Sequence, residues 1–187
     1  MPFERLVPPK TALIVVDLQE KLVPAMPTAR IDGLLRSTKI LLEAAVTLGV
    51  PVIVTEQYPR GLGPTCAVLD ETLQHVRHTR ISKTTFDACM EPTFADALMA
   101  ADVEAAVVVG VEAHICVLQT TRSLLERGYS THVVSDAVAS RREENRSVGL
   151  DLVRAAGAYV TCTETVVFDW LGRAGTEAFK ALSPLLK

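Results

Sequence analysis

Thr11–Val16 (TALIVV) constrains the fold more than any other segment: it is a continuous apolar run, rich in β-branched residues, that ends on a carboxylate, Asp17. A strand with no polar face must be covered on both sides, which is the situation of a strand inside a parallel sheet. Comparable runs recur along the chain and alternate with amphipathic, Leu/Ala-rich stretches. The spacing predicts further strands over Pro51–Thr55, Arg80–Ser82, Ala105–Val109, Thr131–Ser135 and Ala158–Cys162. It predicts helices over Ile31–Leu48, Pro92–Ala101, Ile115–Arg127 and Asn145–Ala156, and a helical tail after Thr163. Gly49, Gly128 and Gly157 stand where helices stop, and Pro92 suits a first helical position. Between Glu56 and Leu69, two prolines and two glycines read as a long loop followed by a short helical turn.

Parallel strands need crossover connections, and helices supply them. The alternation therefore implies an α/β fold: a three-layer α/β/α arrangement around a six-stranded parallel sheet, Rossmann-like, with right-handed crossovers. No repeat, low-complexity tract or linker interrupts it, so a single domain over residues 1–187 is expected.

Several function classes are excluded by composition. The net charge is -3 with both signs scattered, and no basic run offers a track for phosphates, so no nucleic acid is expected as a partner. The longest apolar runs are too short to cross a bilayer, so no membrane is expected either. Met1–Lys10 mixes charges and prolines without the apolar stretch of a secretory signal. Cys66, Cys89, Cys116 and Cys162 are dispersed with no CxxC pair, which speaks against a disulfide framework or a thiolate zinc site. The expected setting is a reducing, cytoplasmic one. An apolar-rich chain with only 5% aromatic residues and mean hydropathy +0.27 is also expected to form a homo-oligomer.

In an open parallel sheet, sites form outside the carboxyl ends of the strands. That rule selects Asp17 after the first strand, Glu56 and Gln57 after the second, Lys83 after the third, and Gly110–Cys116 after the fourth. A carboxylate, an amine and a thiol at three strand ends are the parts of an activated-cysteine site. Cys116 lies in GVEAHICV, at the predicted opening of a helix. Free N–H groups there would lower the thiol pKa and could hold the oxyanion of a tetrahedral intermediate. Singly, each residue has an ordinary reading: a small buried hydrophobe, a cap, a solvated lysine.

The segments VVDLQ (Val15–Gln19), SKTTFDA (Ser82–Ala88) and GVEAHICVLQT (Gly110–Thr120) resemble the signature blocks of the isochorismatase-like cysteine hydrolases, relatives of nicotinamidase and N-carbamoylsarcosine amidohydrolase. VTEQYPRGLGPT (Val54–Thr65) resembles a metal-independent branch of that superfamily. The resemblance implies a small-molecule amide or ureido C–N bond as target and a covalent thioester as intermediate. It implies Cys116 as nucleophile, Asp17 as proton shuttle and Lys83 as the charge that holds Asp17 ionised. It also implies a non-proline cis peptide at Val111–Glu112, with the N–H groups of Glu112 and Cys116 facing the oxyanion. Glu56, Gln57, Phe86 and His114 are candidate substrate-binding residues. The metal-binding histidines of nicotinamidases have no counterpart in LQEKLVPAM after Asp17, so no metal and no other cofactor are expected. Two other readings differ in kind. One is a catalytically idle binding or scaffold protein. The other is a dinucleotide-binding domain, which VVDLQEKLV disfavours because it lacks G-x-G-x-x-G.

Overall fold

A computed structural model describes residues 5–187, so the expectation for Met1–Lys10 falls at residues 1–4 outside the described part. Six strands form one sheet: β1 (Thr11–Val16), β2 (Val52–Gln57), β3 (His78–Lys83), β4 (Ala105–Val111), β5 (Ser130–Ala139) and β6 (Tyr159–Thr161). Their order is β3-β2-β1-β4-β5-β6, and every pairing is parallel. The helices are α1 (Thr28–Leu48), α2 (Pro59–Leu62), α3 (Ala67–Leu73), α4 (Pro92–Ala101), α5 (Leu118–Glu126), α6 (Glu143–Ala155), α7 (Thr163–Leu171) and α8 (Glu177–Leu182). Among the described residues no helix is long and apolar enough to cross a membrane.

The alternation of side chains along a strand divides the core into two. Leu13 and Val15 of β1 pack on one face, with Leu41 and Leu42 of α1, Leu69 of α3 and Trp170 of α7. Ala12, Ile14 and Val16 pack on the other, with Phe94 of α4, Leu124 of α5 and Val153 of α6. All six residues of β1 are buried, as a strand without a polar face requires.

The predicted strands are all present, but four run longer than their apolar cores. β2 continues through Glu56 and Gln57 instead of stopping at Thr55, and β3 starts at His78 instead of Arg80. β4 runs on to Val111, and β5 reaches Ala139, with a register shift against β4 between Val108 and Gly110. The loop read between Glu56 and Leu69 is partly ordered as the end of β2, as α2 and as the start of α3. The helix expected from Ile115 is in fact a π-helical turn, Ala113–Val117, that leads into α5.

The sheet order reverses direction between β1 and β4, which leave to opposite sides. A crevice opens outside the carboxyl ends of such a pair, and this is where an open α/β sheet binds its ligands. Asp17 follows β1 and the Ala113–Val117 turn follows β4, so both stand at that crevice.

Candidate active site

Asp17 leaves β1 in the left-handed region, at φ 53, which turns its carboxyl off the strand direction. Its N–H donates to the carbonyl of Thr55 on the neighbouring strand at 3.1 Å. The Thr55 hydroxyl donates to Asp17 Oδ1 at 2.7 Å, and Lys83 Nζ donates to Asp17 Oδ2 at 2.7 Å. Both the Asp17 and the Lys83 side chains are wholly buried. Charges so placed are tolerable only when paired and hydrogen-bonded, and here they are. Lys83 also donates to Gln57 Oε1 at 2.6 Å and to the carbonyl of Thr85 at 3.3 Å.

Cys116 is buried in the π-turn, close enough to this pair for both charges to act on its thiol. Two glycines allow the approach. β4 passes so close to β1 at Gly110, φ +117, that a Cβ there would stand 2.0 Å from the carbonyl oxygen of Val16. On the other side α6 presses on the π-turn through Gly149, where a Cβ would lie 2.7 Å from the carbonyl carbon of Ala113. The Glu112 carbonyl accepts from the N–H groups of Ile115 and Val117, which fixes the turn around Cys116.

Burial pushes the Cys116 thiol up to about 12, the Asp17 carboxylate adds to that, and Lys83 opposes it. This reverses the depressed thiol pKa expected for a helix N-terminus. Cys116 stands inside a π-turn that runs directly into α5, and its nearest charges include an anion. The raised pKa keeps the proton on sulfur near neutral pH.

The other predicted residues lie as follows around this pair. Glu56 is buried, and its Oε1 accepts from the Thr65 N–H at 2.8 Å and the Thr65 hydroxyl at 2.7 Å, with Arg80 at 3.5 Å. Gln57 accepts from Lys83 and donates through Nε2 to the carbonyl of Thr84 at 2.9 Å. Through these contacts both residues brace the loops after β2 and β3. His114 is half-buried with Nδ1 3.0 Å from the Ser140 hydroxyl, and Phe86 is exposed. The Val111–Glu112 peptide bond is cis. The Glu112 carboxylate is held by the N–H of Arg141 at 2.8 Å and by Arg141 Nε at 2.9 Å.

Thr55, Gln19 and Arg141 escaped the reading of the sequence. Gln19 is fully buried and ties β2 to the following loop, accepting from the Gln57 N–H while donating to the carbonyls of Gln57 and Gly63. One signal was available: a glutamine three residues beyond a buried strand end must find partners. Among the described residues no group of three or more His, Cys, Asp or Glu side chains is placed to hold a metal, and all four cysteines are free thiols.

A doubly wound α/β/α sandwich that gathers a carboxylate, an ammonium and a thiol at its switch point is the class of protein that this fold and site define. Residues 11–165 match the Isochorismatase domain, and the chain belongs to the isochorismatase family, among the isochorismatase-like hydrolases. Isochorismatase family protein 1B of Dictyostelium discoideum is 34% identical over 185 residues, which cover 98% of this chain and 89% of that one. The MAR1 ribonuclease structure from Caenorhabditis elegans superposes with a TM-score of 0.90 at 38% identity, over 98% of this chain and 92% of that one. The YcaC structure from Escherichia coli, an octameric hydrolase of unknown specificity, superposes with a TM-score of 0.88 over 99% and 92%. At 21% identity it speaks for the fold alone.

Proposed function

We propose that this protein is a cysteine-dependent hydrolase of a small amide or ureido-type C–N bond, built as one domain over residues 1–187. The observation that carries the proposal is the fully buried Asp17–Lys83 ion pair at 2.7 Å, set against the thiol of Cys116. A dry ion pair is costly and is often no more stable than apolar residues of the same size. A role beyond packing accounts for its presence.

In this mechanism the sulfur of Cys116 attacks the carbonyl carbon while its proton passes to the Asp17 carboxylate. A thiol held near 12 gives up its proton as the S–C bond forms, not beforehand. The N–H groups of Glu112 and Cys116 stabilise the oxyanion. Asp17 then protonates the leaving nitrogen, the C–N bond breaks, and a thioester remains on Cys116. Water, deprotonated by Asp17, attacks the thioester. The acid departs and the proton returns to sulfur. Lys83 keeps Asp17 ionised in the free enzyme and balances the charge throughout. The step needs no metal and no other cofactor.

Hydroxylamine tests the covalent step. A panel of small amides and ureido compounds is incubated with enzyme and hydroxylamine, and hydroxamate is assayed beside free acid. Hydroxamate formation that disappears in Cys116→Ala and Cys116→Ser is expected. Product release that persists in Cys116→Ala would remove the cysteine from the chemistry. A short RNA belongs in the same panel because the C. elegans relative is called a ribonuclease, although the net charge of -3 gives a polyanion little attraction. The competing idea of an idle binding or scaffold protein predicts no turnover anywhere in the panel. We place the protein in the cytoplasm and, with the octameric YcaC as a precedent of the same fold, expect a homo-oligomer.

A further inference from the structure

At the other end of the sheet from Asp17 and Lys83, the amino ends of β2 and β3 border a cavity of about 630 Å3. The two strands pair through Val52 and His78 at that end and through Gln57 and Lys83 at the catalytic end. Six residues of strand therefore separate the cavity from the crevice, roughly 20 Å. Its floor is apolar and buried, formed by Val50, Val52 and Val76. α4 contributes alanines to its wall, including Ala97 and Ala100, and a helix surface of small side chains leaves open volume.

The rim carries one guanidinium and two imidazoles. His75, Arg77 and His78 all border the cavity, in a chain whose net charge is -3. Among the described residues, neither Arg77 nor His75 has an ion pair or a side-chain hydrogen bond, whereas nearby Arg80 is neutralised by Asp70 and Glu56. His78 Nδ1 lies 2.9 Å from the carbonyl of Val76 and donates to it, so its proton is committed within the protein and Arg77 is the donor left for an anion. Protection of an exposed sheet edge explains charged residues on β3 itself. It does not explain Arg77, which precedes the strand, or the cavity beside it.

We propose that this cavity is a second ligand site, which takes a small carboxylate carrying an apolar chain. The chain lies on the valine floor, and the carboxylate meets the guanidinium of Arg77 at the rim. A guanidinium matches a carboxylate with two parallel donors, and a free one at the mouth of an apolar cavity selects for that head group. The volume is in the range of small-molecule sites.

Octanoate titrated into the full chain by isothermal calorimetry tests this. Saturable binding is expected, with acetate and 1-octanol each weaker by about tenfold or more, because each lacks one half of the match. Arg77→Gln should weaken octanoate by a similar factor, and Ala100→Trp should abolish binding by filling the cavity. Cys116→Ala should bind as wild type does, which sets the site apart from the catalytic crevice. Arg77 is exposed and unpartnered, so its variant decides the matter even if the tryptophan variant folds poorly. The proposal is overturned if octanoate does not bind, if 1-octanol binds as tightly, or if Arg77→Gln or Cys116→Ala gives the wrong response. It also falls if octanoate fails to bind while Ala100→Trp reduces the assembly's mass in light scattering. The cavity would then be a contact between copies of the chain.

Discussion

At the scale of single residues, the charge distribution in the crevice decides how the thiol behaves. Asp17 raises the pKa of Cys116 and Lys83 lowers it, and burial outweighs both. Alkylation by iodoacetamide, which consumes thiolate, should therefore climb about tenfold per pH unit between pH 8 and pH 10 without a plateau near neutrality. The signs of two variants follow. Asp17→Asn removes an anion and leaves Lys83 to pair with the thiolate, so Cys116 should alkylate faster at pH 8 while amide turnover is lost. Lys83→Met leaves a buried carboxylate alone and should slow alkylation. It should also cost about 3–5 kcal/mol in denaturant unfolding, the penalty for breaking a buried pair from one side. Slower alkylation in Asp17→Asn than in wild type would show that the carboxylate is not acting on the thiol as a charge. The placement of Asp17, Lys83 and Cys116 at one edge of the sheet was legible in the sequence because each follows a predicted parallel strand. Thr55 was not. It reaches Asp17 from 38 residues away through strand register, and a lone threonine in an apolar run carries no mark of that contact.

At the scale of elements, the contact between α6 and the π-turn sets where Cys116 stands. Gly149 has ordinary helical surroundings, so on propensity alone Gly149→Ala should stabilise α6 by roughly 0.5–1 kcal/mol. The close approach opposes that gain. The new methyl would lie within 2.7–2.8 Å of backbone atoms of Ala113 and His114, which cannot rotate away. Overpacking of this kind costs about 1–3 kcal/mol, so the net effect should be destabilising. Because the turn carries the nucleophile, kcat should fall more than KM changes. An unchanged kcat beside a lowered Tm would mean that the clash relaxes by moving α6 and not the turn. Nothing in AHICV announces a π-turn, since its apolar spacing is that of an ordinary helix start. The extensions of β2 and β3 were hidden for a related reason. Reading strands as apolar runs ends β2 at Thr55. The strand continues because Glu56 finds Thr65 and Gln57 finds Gln19 and Lys83. Polar residues can end a strand in a sequence reading yet extend it in the fold when partners wait on neighbouring loops.

At the scale of the whole molecule, the layering and the parallel sheet were readable from the sequence because they follow from which runs must be covered on both faces, whereas the order β3-β2-β1-β4-β5-β6 came only with the structure. What the sequence leaves open is the outer surface, where apolar residues can serve either a lone chain or an assembly. Val46 of α1, Val68 of α3 and Leu185 beyond α8 are exposed by 46%, 46% and 38%. A groove between α1 and the C-terminal segment joins Val68 and Leu185 through Ile40 and Leu182. Its rim carries both signs, Arg36 and Lys39 with Asp32 and Glu43, so the same patch on a second copy can meet it with opposite charges. Scattered apolar residues on a surface need no explanation, but a contiguous groove of them is the usual mark of an interface. The expected outcome is a homo-oligomer by multi-angle light scattering at micromolar concentration. A Val68→Asp/Leu185→Asp double variant should shift it toward smaller species, because two buried like charges per contact would face each other across the dyad. These side chains lie away from the Asp17–Lys83 crevice, so the pH dependence of Cys116 alkylation should be the same in the dissociated form. A monomeric wild type would exclude assembly. An oligomer untouched by the double variant would exclude this groove as its interface.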